Sequence, residues 1–247
     1  MLKFNFDLNQ NEVQQLNSIP ADSWFTRVAY RNATSPIHPE AENLDANHEL
    51  KTKLVAPWIR SAVKGKRVLD LFCANGAFSF EAALAGAREV VGLEFSPDRV
   101  RCAQFVANTL QGRVESAIPK FVVGNVYELE KTLQDRFDVV LALGGLYHIP
   151  DPPFVLKQIR SVTSGTLIVQ TSSVLNGREN RAKFVVRKDL RHRGLTSVVG
   201  GQGAWHYTVP CFENMLHHAG FKVLQSTRPS VWVRKRFPWY CAVAEPI

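Results

Sequence analysis

The sequence predicts an α/β protein built on a largely parallel sheet, and three segments carry this prediction. Residues 66–94 contain a short apolar run at 68–72, then small residues, a stretch of helix formers and a second apolar run. This order of strand, tight turn, helix and strand is the pattern of a βαβ unit. The apolar runs Lys120–Val123 and Phe137–Leu143 each follow a helical pattern, so the alternation continues along the chain.

Two acidic residues mark the carboxyl ends of the first two predicted strands. Asp70 lies within the first strand, and Glu94 ends the second. Their separation in the chain is close to the spacing of roughly 20 residues found in nucleotide-binding βαβ units, where the acid binds ribose hydroxyls. The turn between strand and helix contains small residues that let a ligand approach the backbone.

The glycine content of this turn distinguishes between nucleotide cofactors. A dinucleotide site uses G-x-G-x-x-G, because the pyrophosphate lies against backbone N–H groups at a helix start. Here the turn has a single glycine, Gly76, and Asp70 precedes it. Since a carboxylate repels a pyrophosphate and attracts an ammonium group, the sequence favours S-adenosylmethionine (SAM) over NAD.

The segment DLFCANGAFSFEAALAGA resembles motif I of the class I SAM-dependent methyltransferases, in particular the wobble-uridine (5-oxyacetyl- or methoxy-uridine) tRNA methyltransferase-like family. The matching residues are Asp70, Cys73, Gly76, Phe78 and Ser79. Phe72 and Ala74 depart from the motif, because many relatives have glycine at these two places. The resemblance implies a Rossmann-like seven-stranded sheet with helices on both faces and a helical N-terminal arm.

The resemblance also implies a set of residues that contact the cofactor. An acid or amide after the third strand reaches the adenine amino group in this class, and Asn125 offers both an acceptor and a donor; a helix N-cap is its alternative role. Phe95 either stacks on adenine or packs internally. The full set is Asp70, Phe72, Cys73, Ala74, Gly76, Glu94, Phe95, Asn125, Val126, Leu143 and Gly144.

A Gly-Gly-Leu-Tyr-His segment follows the strand Phe137–Leu143 and resembles the Gly-x-Leu-Tyr-His segment of the same family. Ligands bind at the carboxyl ends of such buried strands, so we expect Tyr147 and His148 to be catalytic residues facing the acceptor. The free pKa of histidine, about 6.5, makes His148 the candidate base, with Tyr147 as a hydrogen-bond partner. No metal site is expected, because Asp151 is the only acid in this loop.

Further substrate-binding candidates lie in the predicted arm, residues 1–63, and in an insertion at 174–208 within the predicted catalytic domain, 64–247. In the arm, Trp24, Phe25, Arg27 and Tyr30 either pack internally or form a lid over the acceptor. Trp24 and Tyr30 are the substrate-binding candidates of this group. The insertion is the most basic part of the chain and is either a solvated loop or an anion-binding surface. Its candidates are Arg178, Trp205 and His206.

The composition limits the classes of protein and partner. A formal net charge of +8 admits tRNA as a partner and equally suits a small anionic substrate. An apolar run of about 18 residues is absent, and the first residues lack a signal pattern, so we expect a cytoplasmic protein with no membrane partner. The four widely spaced cysteines predict neither a zinc site nor a disulfide framework.

These observations predict a SAM-dependent methyltransferase that methylates an oxygen or nitrogen of a small polar or anionic molecule. The first alternative is a tRNA-modifying methyltransferase or carboxymethyltransferase. The resembling enzymes have a larger N-terminal region than the about sixty residues that precede residue 64 here, and some of them use a carboxylated form of SAM. The second alternative is a partner subunit that keeps the fold without the chemistry.

Overall fold

The computed structural model describes residues 1–39, 41–172, 178–186, 203–227 and 239–247. Contacts between residues divide the chain into two compact units, Met1–Asn125 and Val126–Ile247. Among the described residues, no helix combines the length and the apolar character needed to cross a membrane.

The first unit opens with the arm. Its elements are β1 (Leu2–Lys3), α1 (Gln10–Ser18), β2 (Val28–Ala29) and α2 (Ala41–Ala62). The start of α1 is a capping box, in which the Asn9 side chain accepts from the Glu12 N–H and the Glu12 carboxylate accepts from the Asn9 N–H. α2 runs through Pro57 as one helix. The parallel pairing of β1 with β2 was not predicted.

The rest of the first unit is the predicted alternation of strands and helices. Its elements are β3 (Arg67–Leu71), α3 (Ala77–Leu84), β4 (Glu89–Glu94), α4 (Pro97–Leu110) and β5 (Lys120–Val123). The three strands are parallel and adjacent in the order β3, β4, β5. Ser96 caps α4 and Pro97 occupies its first turn, both of which favour a helix start.

The second unit contains the remaining strands and helices. They are α5 (Leu129–Thr132), β6 (Phe137–Leu143), α6 (Pro152–Val162), β7 (Thr163–Ser172), β8 (Ala182–Val186), β9 (Gly203–Tyr207), α7 (Val209–His218), β10 (Phe221–Thr227) and β11 (Trp239–Pro246). β7 pairs parallel with β6 and antiparallel with β11, and β11 also pairs antiparallel with β10. The last strand of the chain, β11, is therefore antiparallel to both of its neighbours. β8 and β9 form a separate antiparallel pair that was not predicted.

Seven strands of the chain, three from the first unit and four from the second, belong to one mixed sheet. With the helices that flank it, this sheet confirms the predicted α/β fold class. β6 shows why the sheet forms: six of its seven residues are buried, as its nearly continuous apolar sequence requires.

Candidate functional site

The turn between β3 and α3 adopts a left-handed backbone at three positions. Phe72 has φ 58°, Ala74 has φ 50° and Gly76 has φ 84°. Phe72 and Ala74 are the two places where the sequence departs from glycine, and a left-handed conformation costs a residue with a Cβ about 1–2 kcal/mol. The turn therefore holds strained backbone, which persists in proteins chiefly at functional sites.

Gly76 is required by space as well as by backbone conformation. A Cβ atom at this position would lie 2.6 Å from the Phe121 ring, which packs under the turn from β5. Its carbonyl accepts the first N–H bond of α3, from Phe80. The sequence prediction that small residues are needed here is explained by this contact.

Asp70 is buried at the end of β3, with 1% of its surface exposed. Its Oδ2 accepts a hydrogen bond of 2.6 Å from the Ser79 hydroxyl on α3. Burial raises the pKa of Asp70 to about 7, against a smaller opposing effect of the Ser79 hydrogen bond. Near neutral pH the carboxyl is therefore divided between its two protonation states, and a bound cation would favour the ionised one.

Glu94 ends β4 and organises the turn through both of its oxygens. Oε2 accepts from the Ala74 N–H at 2.9 Å, and Oε1 accepts from the Ser96 N–H at 3.0 Å. Arg99 lies at the edge of ion-pair distance, 4.0 Å from Oε1. A carboxylate has about four acceptor positions, so Glu94 can still accept from two hydroxyl groups.

The other cofactor candidates of the first unit surround these acids. Cys73 is buried, and burial followed by the nearby charges of Asp70 and Glu94 raises the pKa of its thiol. Phe95 is 47% exposed directly after Glu94, which leaves a ring face available to a ligand. Asn125 is half-buried after β5.

The candidates of the second unit lie around β6. Val126 starts this unit and is buried, as is Leu143 at the end of β6. Gly144 follows with φ 106°, a conformation that favours glycine. Leu146–His148 then form a 3₁₀ turn.

His148 and Tyr147 are half-buried neighbours with ring centroids 4.2 Å apart. The His148 Nδ1 atom lies 3.1 Å from the carbonyl oxygen of Gly203, the first residue of β9. Because a carbonyl oxygen only accepts hydrogen bonds, Nδ1 carries the proton in this contact. Neutral His148 then has an unprotonated Nε2, which is the form a general base needs.

The three insertion candidates lie on or beside the β8–β9 hairpin. Trp205 is half-buried and packs on Phe184 of β8 at 5.1 Å, and His206 pairs in register with Lys183. Arg178 is exposed before β8. Most of the basic run of the insertion, 187–193, lies outside the described residues.

Trp24 and Tyr30 do not form a lid, and that interpretation is corrected here. Trp24 is 1% exposed and packs edge-on against Phe105 of α4. The Tyr30 hydroxyl shares a 3.1 Å hydrogen bond with Thr109 of the same helix, and burial raises its pKa to about 12. Because α4 covers both aromatic surfaces, these residues belong to the core of the first unit.

All four cysteines are free thiols. Within the part of the chain that the structure describes, no group of three or more His, Cys, Asp or Glu side chains is arranged to hold a metal ion.

A model of the family described as "Methyltransferase domain" matches residues 62–208. The chain belongs to the SAM-dependent methyltransferase family. The sequence of this methyltransferase is similar to tRNA U34 carboxymethyltransferases, with 27% identity to that of Aliarcobacter butzleri (77% of this chain, 59% of the relative). It is 31% identical to the tRNA U34 carboxymethyltransferase of Ectopseudomonas mendocina (70% of this chain, 49% of the relative). A ubiquinone biosynthesis O-methyltransferase of Bordetella pertussis is 27% identical (61% and 55%). The chain thus spans about half the length of the curated relatives it matches.

Solved structures show the same fold. The magnesium protoporphyrin IX methyltransferase of Synechocystis PCC 6803 with bound S-adenosylhomocysteine (SAH) superposes with a TM-score of 0.64 at 17% identity, covering 95% of this chain and 97% of that one. The N-terminal domain of EvdMO1, crystallised in the presence of SAH and D-fucose, gives 0.65 at 20% identity, covering 96% and 94%. The methyltransferase therefore has the class I fold.

The family uses SAM, and the first unit offers groups that fit it. Glu94 has acceptor positions left for two ribose hydroxyls, and the buried Asp70 would gain from an ammonium group. The left-handed turn lets a ligand approach the backbone between these two acids. The residues present fit the cofactor.

Sequence reasoning missed four residues of the methyltransferase that surround this turn. Ser79 binds Asp70, and Asn75 binds the backbone of the arm. His48 and Lys51 are buried on α2 beside Phe78, and burial lowers the pKa of His48 to about 3. A signal existed for Ser79 in the aromatic-Ser pair of motif I; polar residues in an amphipathic helix gave none for His48 and Lys51.

Proposed function

We propose that the chain transfers a methyl group from SAM to an oxygen or nitrogen of a small polar or anionic acceptor. The observation that carries the proposal is the turn after β3, in which Glu94 orders the backbone and Asp70 is buried with a hydrogen bond from Ser79. Both features favour a ligand that combines ribose hydroxyls with a positive charge.

The cofactor-binding roles follow from the chemistry of each group. Glu94 accepts from the two ribose hydroxyls, Asp70 faces the methionine ammonium, and Phe95 stacks on the adenine ring. Asn125, followed by Val126, binds the adenine amino group, and the backbone at Leu143 and Gly144 contacts the methionine portion. The turn at Phe72, Cys73, Ala74 and Gly76 provides backbone surface.

The acceptor-side roles belong to Tyr147 and His148. Bound SAM supplies an electrophilic methyl group on a sulfonium. His148 Nε2 accepts the proton of an acceptor hydroxyl while Gly203 holds Nδ1–H, and the Tyr147 hydroxyl orients the acceptor. Alignment of nucleophile, methyl carbon and sulfur contributes several kcal/mol to such a displacement. Trp205 and His206 on the adjacent hairpin strand complete the acceptor side, and Arg178 attracts anionic groups.

tRNA modification is the second candidate, and the names of the relatives favour it. The β8–β9 hairpin also presents Lys183 and a 42% exposed Phe184, a combination of charge and ring that suits nucleotides. In this case the donor is SAM or a carboxylated form of it. An RNA substrate that loses several phosphate contacts should bind much more weakly as salt rises, whereas a small acceptor should respond mildly.

The first test is SAM binding, measured by calorimetry on the wild type and two variants. Glu94→Ala should weaken binding by about 1–3 kcal/mol, because two ribose hydroxyls lose their acceptor. Glu89→Ala is the matched control: it removes a carboxylate from the other end of β4, where Glu89 pairs with Arg67 at 2.7 Å, and should leave affinity unchanged. Equal affinity of all three proteins would remove Glu94 from the site.

The second test is turnover. The protein is incubated with methyl-labelled SAM and separate pools of small metabolites and of tRNA, at low and high salt. Label in the small-molecule pool at both salt concentrations supports the favoured acceptor, and label in tRNA that disappears at high salt supports the second candidate. SAM binding with no label in either pool would contradict the proposed activity.

A further inference from the structure

We infer that residues 24–27 of the N-terminal arm are a clasp on the cofactor turn, so that attachment of the arm and binding of the cofactor stabilise each other. The inference rests on the proposed function, because it assigns a positioning role at the same cofactor site. The arm thus acts at the cofactor site, and not as a lid over the acceptor. All residues involved belong to the first unit.

Asn75 is the centre of this contact. Its Oδ1 accepts from the Thr26 N–H at 2.8 Å, and its Nδ2 donates to the Thr26 carbonyl at 2.7 Å. Asn75 is 0% exposed and Thr26 is 1% exposed, so water does not compete for these bonds. A side chain of the turn thus pairs with the arm as a neighbouring strand would, with both of its polar groups in use.

Asn75 lies within the strained turn, so its contact with the arm can affect the conformation of that turn. It lies between Ala74, whose N–H binds Glu94, and Gly76, which starts α3. Ala74 is held at φ 50° and Phe72 at φ 58°, conformations that relax when nothing holds them. The two bonds to Thr26 therefore help to fix the strained turn against which the cofactor lies.

A second connection joins the arm to the ribose-binding acid. The Arg99 guanidinium lies 5.3 Å from the centroid of the Phe25 ring and 4.0 Å from the Glu94 carboxylate. Phe25 precedes Thr26, so two adjacent residues of the arm contact Asn75 of the turn and the arginine beside Glu94. Displacement of the arm would free Arg99 to move toward or away from Glu94.

The rest of the arm is anchored along one face of α4, because residues three or four apart share a side of a helix. The arm-facing residues of the helix are Arg99, Cys102, Phe105 and Thr109, and Arg113 contacts the arm from the turn that follows the helix. Arg113 is the far anchor, where its guanidinium binds both carboxylate oxygens of Glu12 at 2.8 and 3.0 Å. These contacts hold the arm whether or not a cofactor is bound, so the Asn75 contact can be tested separately.

Coupling between two binding events is reciprocal: whatever factor the closed arm adds to cofactor affinity, the cofactor adds to arm closure. Two measurements follow. Asn75→Ala should weaken SAH binding and accelerate SAH dissociation by on the order of tenfold, because the turn loses its two buried bonds to the arm. In the wild type, saturating SAH should slow backbone hydrogen exchange in the peptide that covers residues 24–27.

Thr109→Val is the matched control variant. It removes the hydrogen bond that holds Tyr30 at the far part of the arm and leaves Asn75 and Thr26 intact. Because the Tyr30–Thr109 hydrogen bond is remote from the turn, we expect Thr109→Val to bind SAH within about threefold of the wild-type affinity. If loosening of the arm were the only effect of Asn75→Ala, that variant should behave in the same way. The clasp is supported when Asn75→Ala loses much more affinity than Thr109→Val and no longer shows the slowed exchange.

Three results would overturn the inference. One is a folded Asn75→Ala protein that binds SAH as the wild type does. Another is wild-type exchange at 24–27 that SAH leaves unchanged, which decides the question even where Asn75→Ala does not fold. Wild-type protein that fails to bind SAH overturns the clasp and the proposed function together, whereas SAH binding without turnover affects only the proposed activity.

Discussion

The cofactor turn of the first unit and the 3₁₀ turn at Leu146–His148 in the second are built in different ways. In the first, two acids, an asparagine and the arm form linked hydrogen bonds that involve Asp70, Ser79, Glu94 and Asn75. In the second, His148 is oriented by the Gly203 carbonyl of a strand that belongs to a separate small sheet. In the proposed function, the two acids that bind the cofactor thus belong to one βαβ segment, whereas the histidine of the acceptor side is held by the insertion.

This difference agrees with the chemistry of each ligand. The relatives share a cofactor of the SAM type, so a rigid turn with satisfied polar groups suits it. Acceptors differ between relatives, which include enzymes named for tRNA and for a ubiquinone precursor pathway. Placing the histidine against an insertion lets the acceptor side vary without disturbing the turn.

The largest expected effect separates the two regions by function. His148→Ala should lower kcat by about 10²- to 10⁴-fold for a hydroxyl acceptor, because Nε2 no longer takes the proton. SAM affinity should be unchanged, since the cofactor turn does not use this side chain. Steady-state kinetics and calorimetry on the same preparation check both statements.

The control is His206→Ala, which removes a histidine that pairs in register with Lys183 on the hairpin. It should change KM for the acceptor more than kcat, because it orients no proton transfer. A His148→Ala protein with full kcat would exclude His148 as the base and leave positioning as the source of catalysis.

The next effect tests how tightly the cofactor turn is packed. Gly76→Ala should lower the free energy of unfolding by about 2–4 kcal/mol, the sum of a left-handed Cβ and a clash with the Phe121 ring at 2.6 Å. Gly112→Ala is the matched control: its φ is 69°, but nothing lies within 4 Å of the added Cβ.

Urea unfolding of both variants isolates the packing contribution of Phe121. We expect Gly112→Ala to lower the free energy of unfolding by only about 1–2 kcal/mol, which is the cost of a left-handed backbone for a residue with a Cβ. Equal losses in the two variants would mean that Phe121 moves aside, and that the turn is less rigid than the comparison between the two regions requires.

The buried acid Asp70 gives the stability of the first unit a pH dependence. The pKa of Asp70 is about 7 in the folded protein, against an ordinary value of 3.8, so between these pH values the folded state binds more protons than the unfolded one. The stability contributed by this group therefore falls as pH rises from about 4 to about 7 and is constant above that.

Asp70→Asn should remove this contribution while the Asn carbonyl oxygen still accepts from Ser79. Unfolding free energies of wild type and variant, measured at pH 5 and pH 8, should differ more at pH 8, in favour of the variant. A difference that is independent of pH would show that Asp70 is ionised at both values. The same variant should bind SAM more weakly than the wild type, since Asp70→Asn loses the charge that is proposed to face the ammonium.

The sequence contained the local signals of both units and lacked the long-range ones. α4 begins and ends where Ser96, Pro97 and Leu110 predict, and β6 matches its apolar run, because caps and continuous apolar runs act over a few residues. The packing of Trp24 on Phe105 joins residues far apart in the chain, and no local pattern distinguishes a core tryptophan from a lid. The same holds for the contact of His148 with Gly203.

The departures of the turn from glycine were visible in the sequence, but their consequence was not. Whether Phe72 and Ala74 move the turn or adopt a left-handed backbone depends on what holds them, and that is Glu94 and the arm. Physical constraints outside the motif thus decide the conformation within it.

Ala74→Gly carries the smallest expected effect and tests this strain directly. Glycine adopts φ 50° without strain, so the variant should be stabilised by about 1 kcal/mol in the folded state. Part of this stabilisation is offset because glycine increases the conformational entropy of the unfolded chain. The net change should be a stabilisation of less than about 1 kcal/mol, or a small rise in Tm. Ala87→Gly, a buried alanine outside the turn, should instead destabilise. If Ala74→Gly is destabilised as much as Ala87→Gly, the left-handed conformation at residue 74 is wrong, and the rigidity ascribed to the cofactor turn loses its physical basis.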